Sequence, residues 1–181
     1  IEYKRPDGQA VKGYLATAAT AGSARGSVVI IQEWWGLNDQ IRGVADRVAA
    51  AGFNALVPDL YRGKSTTEAE EAHHLMTNLN FADAASQDVR GAVQYLAKSG
   101  GKVGVTGFCM GGALTILSLT MSPEIAAGVV WYGLPPLEFQ LLRVLCARAV
   151  AEADSPARAR GCVPTKELAR ALGARVAMSR L

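Results

Sequence analysis

Cys109 is the residue in this sequence best placed to act as a nucleophile. It stands in Gly107-Phe108-Cys109-Met110-Gly111-Gly112, the pattern Gly-x-nucleophile-x-Gly. Between a strand and a helix such a turn forces its central residue into a strained backbone conformation, and small residues two positions away on either side let strand and helix pass closely. A thiol held there is lifted clear of the sheet. The helix N-terminus beneath it favours the thiolate and offers an amide to a developing oxyanion. The structural alternative is a glycine-rich phosphate turn, or a cysteine that serves as a small buried hydrophobe. The nucleophile reading is preferred because strand, turn and helix are indicated independently at this one place. The two imidazoles of the chain, His73 and His74, are adjacent and lie far earlier in the sequence. An exposed pair on a helix surface is their better reading, with His73 as base the lesser one.

The elements that must position Cys109 follow from hydrophobic period. Residues 2–4 and 11–16 read as a hairpin around Pro6-Asp7-Gly8. Val28 to Ile31 is an uninterrupted β-branched run, as expected of a parallel strand buried on both faces. Leu37, Ile41, Val44 and Val48 form a helical stripe that stops at Gly52. Ala55 to Asp59 is a strand, and Val89, Val93 and Leu96 mark a helix ending near Gly100-Gly101. A strand from Lys102 to Thr106, the stripe Met110, Leu114, Leu117, Met121 and a strand from Gly128 to Tyr132 complete the alternation. Strands separated by helices imply right-handed crossovers and a mostly parallel sheet with helices on both faces. Thr66 to Leu79 is an acidic, helix-prone insertion placed to flank a site at the strand ends.

Four motifs together resemble the dienelactone hydrolase family, of the α/β-hydrolase superfamily. They are Gln32-Glu33-Trp34-Trp35-Gly36, Pro58-Asp59-Leu60-Tyr61-Arg62-Gly63, Gly107 to Gly112 and Val130-Trp131-Tyr132-Gly133, in the family's order and spacing. The resemblance covers residues 1–138. It implies an α/β-hydrolase-type fold and hydrolysis of a lactone or carboxylic ester through an acyl-thioester on Cys109, with no metal or cofactor. It further implies that Glu33 contacts the thiol and takes up its proton when an anionic substrate arrives, which would protect Cys109 from oxidation. The oxyanion hole it implies is formed by the backbone amides of Met110 and Trp34. Two donors aimed at one oxygen stabilise a tetrahedral intermediate, and losing one typically costs about 3 to 4 kcal/mol. The family's catalytic His and its carboxylate partner have no counterpart here. No His follows position 74, and Asp154 lacks a strand-end setting. Neither Arg62 nor Arg90 matches a family anchor for a substrate carboxylate, so both read as surface cations.

The stretch after Pro135-Pro136 differs in kind. Residues 139–181 carry eight Lys and Arg against three Asp and Glu, whereas residues 1–138 carry eleven against thirteen. The net charge of +3 therefore belongs to an Ala/Arg-rich tail, expected to be helical at 139–153 and 165–172 or else disordered. Two segments are expected, a partial α/β-hydrolase domain over 1–138 and this atypical tail, with the last third of the fold missing or replaced. A catalytically incomplete chain, truncated or shifted in reading frame, and a non-catalytic binding protein are the alternatives. Sequencing the gene around codon 139 tests the frame shift.

At 181 residues the chain is sized for one ordinary domain. Cys109, Cys146 and Cys162 have neither disulfide nor zinc spacing, and no run nears the roughly 18 apolar residues of a membrane span. Ile1 to Arg5 carries no signal-peptide core, and the missing initiator Met suggests a few residues upstream. A cytoplasmic protein with no membrane partner is expected. The tail arginines lack the aromatic interleaving of a nucleic-acid surface, so no nucleic-acid partner is expected. The expected partner is a small anionic lactone or ester. Without further strands, Gly128 to Tyr132 would form a sheet edge apolar on both faces and prone to self-association.

Overall fold

The β-branched runs become the middle of a six-stranded sheet in the computed structural model, which describes residues 1–19 and 24–132, all within the unit Ile1–Gly133. In chain order the elements are β1 (Glu2–Lys4), β2 (Ala10–Ala16), β3 (Ser27–Ile31), α1 (Asp39–Ala50), β4 (Asn54–Pro58), α2 (Ala69–Thr77) and α3 (Phe81–Asp83). A π-helical segment (Ala84–Val89) leads into α4 (Arg90–Ala97), followed by β5 (Val103–Phe108), α5 (Met110–Met121) and β6 (Ala127–Trp131).

The strands lie in the order β1-β2-β4-β3-β5-β6. β4, β3, β5 and β6 run parallel, while the N-terminal hairpin adds β2 antiparallel to β4 and β1 antiparallel to β2. Side chains alternate across a strand, so each central strand feeds two cores. Val29, Ile31, Leu56 and Val105 pack with Val89, Val93 and Leu114 on one face. Ile30, Ala55 and Val57 meet Ile41, Ala45 and Ala49 of α1 on the other. Helices cover both faces, as the run Val28 to Ile31 requires.

Two features depart from the hydrophobic pattern. The helix expected around Val89 to Leu96 starts earlier, with α3 and a π-helical turn before α4. The wider turn carries Asp88 at 1 % exposure, where its carboxylate meets Arg62 Nη2 at 2.8 Å and Arg5 Nη1 at 3.5 Å. Its carbonyl accepts the Tyr3 hydroxyl at 3.0 Å. Long-range ionic partners set this turn, and no local period announces them. The insertion contributes α2, whose Ala72 is buried and whose Leu75 and Met76 pack against the larger core.

Among the described residues β6 pairs with β5 alone, which leaves it at the end of the sheet. The expectations for residues 139–181, including helices at 139–153 and 165–172, Asp154, Cys146 and Cys162, lie outside the described residues. No described helix is long and apolar enough to cross a membrane.

Candidate active site

The parallel ladder determines what meets at the site. Ile31 of β3 pairs with Gly107 of β5, and Gly107 pairs with Val130 of β6. Two residues beyond this shared rung stand Glu33, Cys109 and Tyr132. All three therefore leave the sheet together at its C-terminal edge, where open α/β sheets bind their ligands.

Cys109 adopts φ +54°, ψ −120°, between the end of β5 and the first residue of α5. A non-glycine residue at positive φ is strained, and the surroundings hold it there. Its amide donates to Trp131 O at 3.0 Å and its carbonyl accepts from Gly112 N at 2.9 Å, so both backbone polar groups are engaged. Glycine is required on both sides by close approach. A Cβ on Gly111 would lie 2.5 Å from Ile31 O and 2.6 Å from Gln32 O, and one on Gly107 would collide with the Gly111 carbonyl. Strand β5 and helix α5 thus cross at backbone contact, and the thiol is partly exposed rather than packed into hydrocarbon.

The close seat of Gly111 on Ile31 and Gln32 also brings the first turn of α5 against the exit of β3. Trp34 lies on that exit and Met110 on that turn. Among the described residues no acceptor takes the amide of either. Gln32, fully buried, accepts from Leu60 N at 3.4 Å and so ties the exits of β3 and β4. The segment Glu33 to Gly36 turns back with Gly36 at φ +91°, and a Cβ there would stand 2.5 Å from Lys64 O. Trp34 and Trp35 pack edge to face with centroids 5.0 Å apart, and Trp35 O accepts from Thr66 N at 3.0 Å.

Glu33 engages a tyrosine. Its Oε1 accepts the Tyr132 hydroxyl at 2.7 Å, and among the described residues it makes no hydrogen bond to Cys109. That bond, joined by burial and the nearby Cys109, pushes the Tyr132 phenol up to about 12. Tyr61 approaches from the β4 exit, donating its hydroxyl to Met110 Sδ at 3.3 Å. Burial first, and then Cys109, pushes its phenol up to about 12 as well. A cleft opens beside these groups, lined by Glu33, Asn38, Ile41, Val44, Phe108 and Tyr132. Asn38 caps α1 by accepting from Ile41 N at 3.1 Å, which ties two of the lining residues together.

Tyr132 and Tyr61 both stood inside motifs of the sequence without a role. The ladder offset of two from the Gly107 rung is the signal that finds Tyr132, and it exists only once strand pairing is known. The remaining candidates lie elsewhere. His74 Nε2 meets Nδ2 of Asn78, the C-cap of α2, at 3.1 Å, and among the described residues neither imidazole hydrogen bonds to Cys109. Arg62, at φ +56°, is bound to Asp88 and to Asp59 O at 2.9 Å, and so is more than a surface cation. Arg90 pairs with Glu124 at 2.7 Å. No cluster of metal-ligating side chains occurs among the described residues.

Comparison with known proteins places the chain in a family. The model of the dienelactone hydrolase family matches residues 11–156, a span that includes the first part of the stretch set apart at 139. Protein usf of Aquifex pyrophilus is 37% identical over 147 residues, covering 76% of this chain and 62% of its own length. A protein of Aquifex aeolicus, provisionally named a carboxymethylenebutenolidase, is 34% identical with the same coverage. A Klebsiella pneumoniae crystal structure, provisionally titled a dienelactone hydrolase, superposes with a TM-score of 0.64 at 28% identity, over 73% of this chain and 58% of that one. The chain spans about 62% of the length of the two Aquifex relatives.

Proposed function

This chain belongs to the dienelactone hydrolase family, and from that footing we propose that it hydrolyses a small anionic lactone or carboxylic ester with Cys109 as nucleophile. The observation that carries the reading is the thiol at φ +54° on a turn where both flanking glycines are sterically obligatory. In the proposed reaction Glu33 accepts the thiol proton. The thiolate adds to the substrate carbonyl, and the amides of Met110 and Trp34 take the oxyanion. Collapse breaks the acyl C–O bond as Glu33 returns its proton to the leaving oxygen, which departs as the alcohol of an ester or stays on the acyl chain of a lactone, and water cleaves the acyl-thioester to the acid and the free thiol.

The anionic character of the substrate is supported by the name of the Aquifex aeolicus relative, which denotes a lactone bearing a carboxymethylene group. A reducing compartment, the cytoplasm, suits a catalytic thiol and cysteines without disulfide spacing. Self-association through β6 is part of the proposal, since Trp131 and Tyr132 are exposed there. The deciding experiment assays the chain on small lactones and aryl esters and examines the Cys109 peptide by mass spectrometry during turnover. An acyl adduct on Cys109 and loss of hydrolysis in Cys109→Ala are expected. Hydrolysis that survives the substitution removes Cys109 from the mechanism.

A further inference from the structure

The Glu33 to Tyr132 hydrogen bond spans a strand. β5 lies between β3 and β6, and adjacent strands are about 4.8 Å apart, so the two side chains close a gap of roughly 10 Å directly over the end of the strand that carries Cys109. Tyr132 has no packing reason to do this. Its side chain is 70 % exposed, and its backbone sits at φ +40°, a conformation that costs free energy in any residue with a Cβ. Among the described residues Tyr132 is the one partner of the Glu33 carboxylate, and no cation stands within bonding distance of it. Glu33 is thus held by a neutral hydroxyl, strongly enough to orient it and weakly enough to be released.

We infer that Tyr132 is a positioning residue for Glu33, its hydroxyl holding the carboxylate in a bridge across the end of β5 and withholding it from the Cys109 thiol until the bridge opens. This rests on the reading of Cys109 as nucleophile. When the bridge breaks, Glu33 Oε1 is left without its donor and is free to accept the thiol proton. The Sγ–H bond of Cys109 then breaks as an O–H bond forms on Glu33. The negative charge passes from carboxylate to sulphur and the total charge is unchanged. Glu33 and Tyr132 themselves line the cleft together with Phe108, Asn38 and Ile41, whereas Cys109 does not, so a substrate entering there would meet the bridge before the thiol.

The test uses the full chain and needs no turnover. Iodoacetamide alkylation is quantified on the Cys109 peptide across a pH series, so that Cys146 and Cys162 do not contribute. Tyr61 and Tyr132 both lie near enough to Cys109 for its charge to raise their phenols, and Tyr61 is left intact throughout. Tyr132→Phe removes only the hydroxyl. It is expected to accelerate alkylation at mildly acidic pH by about tenfold or more, the worth of a hydrogen bond to a charged group, and to move the profile to lower pH. In a Glu33→Gln background the same substitution is expected to change nothing further. A rate within about twofold of the parent, less than 1 kcal/mol, overturns the inference, as does equal acceleration in both backgrounds. Should Tyr132→Phe not fold, Glu33→Gln reads the bridge from its other end. Ultraviolet titration must then show one tyrosine falling from about 12 towards its ordinary value, and an unchanged tyrosine titration overturns the inference. A chain without hydrolytic activity would sink the proposed function while leaving these comparisons readable.

Discussion

Cys109 is held by backbone sterics before any side chain assists it. The glycines of the elbow make this testable at single positions. Gly111→Ala would place a methyl 2.5 Å from Ile31 O, and neither β3 nor α5 can retreat without disturbing the core. A loss of about 1 to 3 kcal/mol or more in urea unfolding is expected, with reduced Cys109 reactivity. Gly104→Ala in the same strand is the contrast, because its new methyl would meet Ala127 O at an ordinary 3.5 Å. That variant should remain within about 1 kcal/mol of the parent, as reduced unfolded-state freedom offsets the lost strand fit. Equal destabilisation by both would mean that the elbow is not the tight point. Tyr61 offers a pH test at the same scale. Its phenol is raised from the ordinary 10 to about 12, so the fold binds its proton more tightly than the unfolded chain does. Stability from this group is present below pH 10 and is lost as pH rises to 12, on the order of 2 kcal/mol. Melting temperature should therefore fall over that window, and less steeply in Tyr61→Phe.

The π-helical segment is the element that sequence pattern least anticipates, and it carries the most buried charge. Asp88 joins three separate parts of the chain, pairing with Arg5 beside β1 and Arg62 beyond β4. Burial raises its carboxyl, and the two guanidinium groups counter that only in part. Removing one member of a buried pair leaves an uncompensated charge. Asp88→Ala is expected to cost about 3 to 5 kcal/mol in urea unfolding. Arg90→Ala, which breaks the more exposed pair with Glu124, should cost no more than about 1 kcal/mol. A similar cost for the two would show that the Asp88 network is solvated in solution. Arg62 lies one residue from Tyr61, so Asp88→Ala should also disturb the loop that reaches Met110.

At the scale of the molecule, the sheet ends in a strand with one partner among the described residues. β6 leaves Trp131 49 % exposed beside the stacked Phe108, and such an edge templates further pairing. The full chain is expected to show concentration-dependent association in sedimentation velocity. A monodisperse monomer at high concentration would remove self-association from the proposal.

Hydrophobic period and glycine placement were sufficient, from sequence alone, for the order of strands and helices, the elbow at Cys109 and the covering of both sheet faces. These depend on neighbours within a few residues, whose spacing is written in the chain. The family resemblance drew Glu33, Met110 and Trp34 into the same site. Tertiary structure decided the rest. The Tyr132 bridge, the π-helical turn at Asp88 and the engagement of Arg62 each join residues distant in sequence. Strand register and ionic pairing, which no local pattern encodes, bring them together.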